Sequence, residues 1–285
     1  MLSETYTLSH GIKIPKLGLG TWMIPDSQAA EAVKAAIALG YRLIDTAQAY
    51  ENETGVGDGV RSSGVPREEL FVTSKVAAEI KSYEATARSI DETLARMKLD
   101  YIDMMIIHSP QPWVEWRSGR RFFAENKNVW RALEDAHASG IVKAIGVSNF
   151  LRDDLDNILE DCRVRPMVNQ ILLHISNTNM PLINYCKEKD ILVEAYSPIA
   201  HGVALHNKEI TAIAQKYNVS VAALCIRYVI ELGTVALPKT SNPEHMAENA
   251  KVDFHIEPDD MQALTELAPI KDYAEFSAFP VFSLK

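Results

Sequence analysis

Short apolar runs alternate with amphipathic stretches along nearly the whole chain. Runs at 17–20, 42–45, 70–75, 101–107, 142–147, 167–170, 191–196 and 234–238 have the length of buried strands and few charges. Between them apolar residues recur at helical spacing. Ala29, Val33, Ala36 and Ile37 form one such stripe, with Asp26 or Ser27 as the expected cap and Gly40 as the stop. Further helices are expected near 53–62, 82–97, 126–138, 151–160, 179–188, 207–217, 219–231 and 243–249. Residues 5–8 and 12–14, flanking Ser9-His10-Gly11, predict a small β-hairpin ahead of the first buried strand. Strand–helix alternation means parallel strands joined by right-handed crossovers. Eight such units closing on themselves make an α/β (β/α)8 TIM barrel, whose functional residues belong at the C-terminal ends of the strands.

Three successive runs end on, or lead directly to, an ionisable group at that rim. Asp45 closes the second run, with Tyr50 just beyond it; Lys75 closes the third; His108 follows the fourth. Taken singly, Asp45 reads equally as a helix cap, Tyr50 as packing and His108 as a satisfied polar residue. Lys75 resists such a reading, because a lysine ending a buried strand must be paired or used chemically. Together they make a proton-transfer site suited to carbonyl reduction. Hydride arriving at a carbonyl carbon leaves charge on the oxygen, which needs a proton. A phenol, with pKa about 10, needs a neighbouring ammonium to favour its ionisation. Lys75 can do this for Tyr50, Asp45 can hold Lys75, and His108 can orient the carbonyl.

Composition narrows the field further. The chain has 285 residues, 47% hydrophobic, with no linker-like tract, which fits one barrel domain over 1–285. A net charge of −9 argues against nucleic acid or an anionic membrane as partner. Cys162, Cys186 and Cys225 show no CxxC spacing, so buried, reduced thiols in a cytoplasmic chain are expected. Neither a signal peptide nor a membrane-spanning run is apparent. Gly18-Leu19-Gly20 carries two of the three glycines of a dinucleotide fingerprint, and Gly146-Val147-Ser148-Asn149 lacks the second glycine of a nucleophile elbow. No metal-ligand spacing is present.

Residues 17–22 (Leu-Gly-Leu-Gly-Thr-Trp), 45–53 (Asp-Thr-Ala-Gln-Ala-Tyr-Glu-Asn-Glu), 146–150, Asn169-Gln170, and 237–240 with Glu248-Asn249 together resemble, in order, the motifs of the aldo-keto reductases. The resemblance spans nearly the whole chain. It implies a catalytic tetrad of Asp45, Tyr50, Lys75 and His108, with Tyr50 as general acid. It implies a nicotinamide cofactor, NADPH with NADH as a possible second, across the barrel mouth. Ser148, Asn149 and Gln170 would then bond the carboxamide, Tyr196 would stack on the ring, and Ser197 would join the cofactor site. Lys239 and Thr240 match a 2′-phosphate clamp, and Glu248 and Asn249 match adenine contacts. His245 stands where the family usually has arginine, which implies use of both cofactors with NADPH favoured through Lys239. Ser109 replaces a common tryptophan, and the strand after Gln170 lacks the usual glutamate and proline.

Trp22, Trp113 and Trp116 are candidate pocket walls for apolar carbonyls, while Arg117, Arg120 and Arg121 on the long 109–125 connection offer either a welcome for acids or solvated charge. The aromatic tail after about residue 270 can fold toward the mouth or pack on the surface; its shortness suggests an open site. The expected partner is a small carbonyl compound, and the resemblance leans to a monomer. Two other readings stay open: a cofactor-binding sensor on the same fold, and an aldolase with a Schiff-base lysine.

Overall fold

The computed structural model describes residues 1–116 and 118–283. Strands β1 (Thr5–Thr7) and β2 (Lys13–Pro15) pair antiparallel, as the hairpin pattern predicts. Eight parallel strands follow in sheet order: β3 (Gly18–Gly20), β4 (Leu43–Asp45), β5 (Phe71–Val76), β6 (Ile102–Ile107), β7 (Val142–Ser148), β8 (Val168–Leu172), β9 (Leu192–Tyr196) and β10 (Val235–Leu237). The Gly20 N–H donates to the Pro238 carbonyl at 2.9 Å and the Ala236 N–H to the Lys16 carbonyl at 2.9 Å, which brings β10 back against β3. The helices are α1 (Asp26–Ala38), α2 (Glu53–Ser62), α3 (Tyr83–Met97), α4 (Phe123–Ser139), α5 (Arg152–Leu159), α6 (Met180–Glu188), α7 (Lys208–Lys216), α8 (Val221–Glu231), α9 (Pro243–Asn249) and α10 (Pro258–Glu266). This is a (β/α)8 barrel.

Each strand divides its side chains by parity, because successive residues point to opposite faces. Leu43, Phe71, Met104, Ile106, Ala144, Val168, Val235 and Leu237 fill the lumen, where Leu8 and Ile14 of the hairpin region join them. Their neighbours Ile44, Val72, Met105, Ile107, Ile145, Val193 and Ala236 pack outward beneath the helices. Continuing the inward parity along each strand brings Gly20, Asp45, Lys75, His108, Ser148, Gln170 and Tyr196 to one end of the lumen. The apolar half of the barrel is therefore the support and the polar half the site.

Two glycines are required by close approach. A Cβ on Gly55 would lie 2.2 Å from the Asp26 carbonyl oxygen, so a side chain there would push α2 away from α1. A Cβ on Gly146 would lie 2.8 Å from the Val168 carbonyl oxygen, which would push β7 from β8.

Two local expectations are corrected, and one helix is added. Neither Asp26 nor Ser27 caps α1: Pro25 occupies that position, and Asp26 Oδ1 instead accepts from the Gly55 N–H at 2.7 Å, tying the two helices together. Cys162 is half-buried, unlike the buried Cys186 and Cys225, because it lies in the exposed turn after α5. The sequence pattern does not predict α10, whose only buried residue is Leu264 and whose apolar stripe is correspondingly thin.

Candidate active site

Lys75 is the centre of the polar half. It is wholly buried, and its Nζ donates to Asp45 Oδ1 at 2.6 Å, to the Thr46 carbonyl at 2.8 Å and to the Tyr50 hydroxyl at 3.3 Å. Three acceptors saturate an ammonium. Burial opposes its charge, but Asp45 and Tyr50 outweigh that, and its pKa stands above the ordinary lysine value. Tyr50 reaches the ammonium from the turn after β4, where Glu51 adopts a left-handed conformation (φ 56°).

The Tyr50 phenol departs from the expectation of a lowered pKa. Burial raises it, the Lys75 charge lowers it and Asp45 raises it again, and the net direction is upward. The ammonium is where the sequence implied; the dry surroundings outweigh it. His108 lies edge-on to Tyr50, with ring centroids 5.5 Å apart. Burial and the Lys75 charge push its pKa well below the ordinary histidine value, so the imidazole is neutral at pH 7 and carries one N–H.

Asn149, in the left-handed region (φ 63°) that asparagine tolerates, turns the chain after β7. Its Nδ2 donates to the His108 carbonyl (3.1 Å) and to Ser148 Oγ (3.0 Å), and its Oδ1 accepts from the Tyr196 hydroxyl (2.7 Å). This links the ends of β6, β7 and β9. Gln170 Nε2 donates to Asp45 Oδ2 at 2.9 Å and to Glu194 Oε2 at 3.0 Å. Both of its N–H bonds are committed to carboxyls.

A cavity of about 880 Å³ opens over these residues, lined by Tyr50, His108, Trp22 and Trp113 and also by Lys239, Thr240, His245, Glu248 and Asn249. Ser148, Asn149, Gln170, Tyr196 and Ser197 line it as well. Trp116 does not: it lies behind Trp113, with ring centroids 5.5 Å apart. A spacing of three residues on a short turn did not disclose which indole faces inward. Arg120 pairs with Glu115 and Glu125, and Arg121 with Asp154, so neither lines the cavity; Arg117 lies outside the described residues. The tail does fold over the mouth. Phe276, Phe279 and Phe282 surround Trp22 at centroid distances of 6.1, 5.0 and 6.1 Å.

Sequence reasoning missed two residues here. His201, in the loop after β9, stacks on Phe276 at 4.2 Å and sits edge-on to Trp22 at 5.4 Å. Glu194 stands alone as a carboxylate within an apolar strand, and that solitary position was its signal.

Comparison with known proteins places this barrel in an oxidoreductase family. The aldo/keto reductase family model matches residues 16–269. Glyoxal reductase of Bacillus subtilis (strain 168) is 42% identical over 268 residues, covering 93% of each chain. A crystal structure of an aldo/keto reductase from Brucella melitensis superposes with a TM-score of 0.85 at 36% identity, covering 92% of this chain and 98% of that one. A Bombyx mori aldo-keto reductase in complex with NADP gives a TM-score of 0.86 at 30% identity, covering 98% of both. The chain belongs to the aldo/keto reductase family.

Proposed function

We propose that the protein is an NAD(P)H-dependent reductase of small aldehydes, ketones or keto sugars, with Tyr50 as general acid. The observation that carries this reading is the Asp45–Lys75–Tyr50 chain, with contacts of 2.6 and 3.3 Å, ending in a phenol beside a neutral imidazole. The cofactor's part, when bound, is to supply hydride. The protein's part is the proton. Tyr50 gives its hydroxyl proton to the developing alkoxide; Lys75 stabilises the phenolate left behind; Asp45 keeps Lys75 charged and in place. His108 donates one hydrogen bond to the carbonyl oxygen and orients it.

The residues present fit a nicotinamide dinucleotide. A single cavity takes in both Tyr50 and Lys239. Lys239 is a cavity-facing cation that makes no ion pair among the described residues, and partial burial holds its pKa below the ordinary value. Such a charge suits a phosphate. Gln170 Oε1 and the Ser148 hydroxyl suit the carboxamide, and Tyr196 the ring. The Bombyx mori relative was crystallised with NADP, which supports the same assignment here. NADPH is the favoured cofactor through Lys239, and His245 in place of arginine leaves NADH usable.

The test follows loss of nicotinamide absorbance with a panel of carbonyls, NADPH and NADH in parallel. Tyr50→Phe should lose on the order of 10²–10⁴ of the turnover while staying folded. A Tyr50→Phe variant as active as the wild type would end the proton-donor role. The Schiff-base alternative needs a free amine, whereas Lys75 is buried and holds three acceptors.

A further inference from the structure

Gln170 is held between two buried carboxyls, and only one of them has a counter-ion. Asp45 has Lys75. Glu194 is wholly buried and makes no ion pair among the described residues; its Oε2 accepts from Gln170 Nε2 at 3.0 Å, and its Oε1 has no protein partner. We propose that Glu194 is a positioning residue for proton delivery: it fixes the Gln170 carboxamide against Asp45, and its own proton sets the charge balance of the Asp45–Lys75–Tyr50 chain.

The register supports this. Glu194 pairs with Gln170 on β8 and with Val235 on β10, neither of which carries charge. The charged groups that face it are Asp45 from β4 and Lys75 from β5. One ammonium cannot neutralise two carboxylates in a dry lumen, and the carboxylate that lies 2.6 Å from Lys75 takes it. Glu194 therefore carries a proton at neutral pH. Burial first, then the Asp45 charge, pushes its pKa up to about 8.

The consequence has a definite sign. Below that value Glu194 is neutral, and the lumen holds Asp45⁻ and Lys75⁺ in balance. Above it, a second negative charge faces the same ammonium. That charge disfavours the Tyr50 phenolate, so Tyr50 becomes a weaker acid and carbonyl reduction slows. The alkaline fall in rate then belongs to Glu194, a residue that need not touch the substrate.

This inference rests on the reductase reading, and the experiment separates the two. Rates of carbonyl reduction at saturating NADPH are measured from pH 6 to 10 for the wild type, Glu194→Gln and Glu194→Ala. The wild type should fall through an inflection near pH 8. Glutamine keeps the acceptor for Gln170 and cannot ionise, so its ratio of rate at pH 9 to rate at pH 7 should exceed the wild-type ratio by about tenfold. Alanine removes the acceptor and frees Gln170, so it should raise the KM for NADPH, and glutamine should restore it. Infrared spectra of the folded protein give a second readout without turnover. A carboxylic-acid C=O band should be present in the wild type at pH 7, vanish by pH 9.5, and be missing from Glu194→Gln. An alkaline limb unchanged in Glu194→Gln, or no such band in the wild type, overturns the proposal. Absence of turnover with the band present would instead count against the reductase reading alone.

Discussion

Lys75 and Asp45 form an ion pair of 2.6 Å in which neither side chain is more than 5% exposed. Such a pair is costly to break from one side, because the remaining charge stays buried and uncompensated. Asp45→Asn should lose about 3–5 kcal/mol of unfolding free energy. Adding Lys75→Met should recover part of that loss, since the stranded ammonium is then gone. Urea denaturation of the two single variants and the double variant checks this. Additive losses would mean that the two residues stabilise the barrel independently.

The fold was legible in the sequence because the buried strands are separated by helices of clear periodicity, and parity carries each strand's last inward residue to one rim. Asp45, Lys75 and His108 follow from that argument, and Tyr50 from its place one turn beyond. What parity cannot convey is how strongly burial acts on each charge. Lys75 was expected to lower the Tyr50 pKa, and burial reverses the direction. Contacts made by irregular segments were equally hidden. The tail has no repeat from which to read a face, and neither it nor the loop bearing His201 reveals the other in sequence. Trp113 and Trp116 were indistinguishable until the turn between them was seen.

Lys239 supplies a second prediction. It is a cation lining the same cavity as Tyr50, and His245, which also lines it, is exposed and shorter than arginine. Lys239→Ala should raise the KM for NADPH about tenfold and change that for NADH far less, as expected for one partly solvated phosphate contact. His245→Arg should sharpen the preference for NADPH. Steady-state kinetics with both cofactors decides it; equal losses with NADPH and NADH would assign Lys239 to some part of the cofactor other than a 2′-phosphate.

The tail gives a third. Trp22 touches His201, Phe276, Phe279 and Phe282 together, so it joins the first-strand loop, the loop after β9 and the tail into one apolar wall. Trp22→Ala should raise the KM for apolar carbonyls by about 10–100-fold, the range of a lost apolar pocket contact. The dissociation constant for NADPH should move much less. If cofactor affinity fell as far as substrate affinity, the wall would be serving the dinucleotide end of the cavity.

The last prediction concerns pH. His174 is wholly buried. Its Nδ1 lies 2.5 Å from the Ile175 carbonyl oxygen and its Nε2 lies 2.9 Å from the Tyr273 hydroxyl. A neutral ring satisfies both bonds: Nδ1–H donates to the carbonyl, and Nε2 accepts from the phenol, which fastens the tail to the segment after β8. Burial pushes the His174 pKa down to about 4, from the ordinary 6.5. The unfolded chain therefore takes up this proton first as pH falls. Stability contributed by His174 is intact above about 6.5, declines below it and is gone near the folded pKa, a loss on the order of 3 kcal/mol. In the folded protein the ring takes its proton only near pH 4, where Nε2 becomes a donor, the Tyr273 hydroxyl can no longer donate to it and the tail loosens. His174→Gln keeps a side chain that can bond Tyr273 but removes the titration. Its unfolding free energy should differ less between pH 7 and pH 4.5 than that of the wild type. Tryptophan fluorescence from Trp22 should follow the tail. An equal loss of stability in both proteins would place the acid sensitivity in the barrel's carboxylates and leave His174 with packing alone.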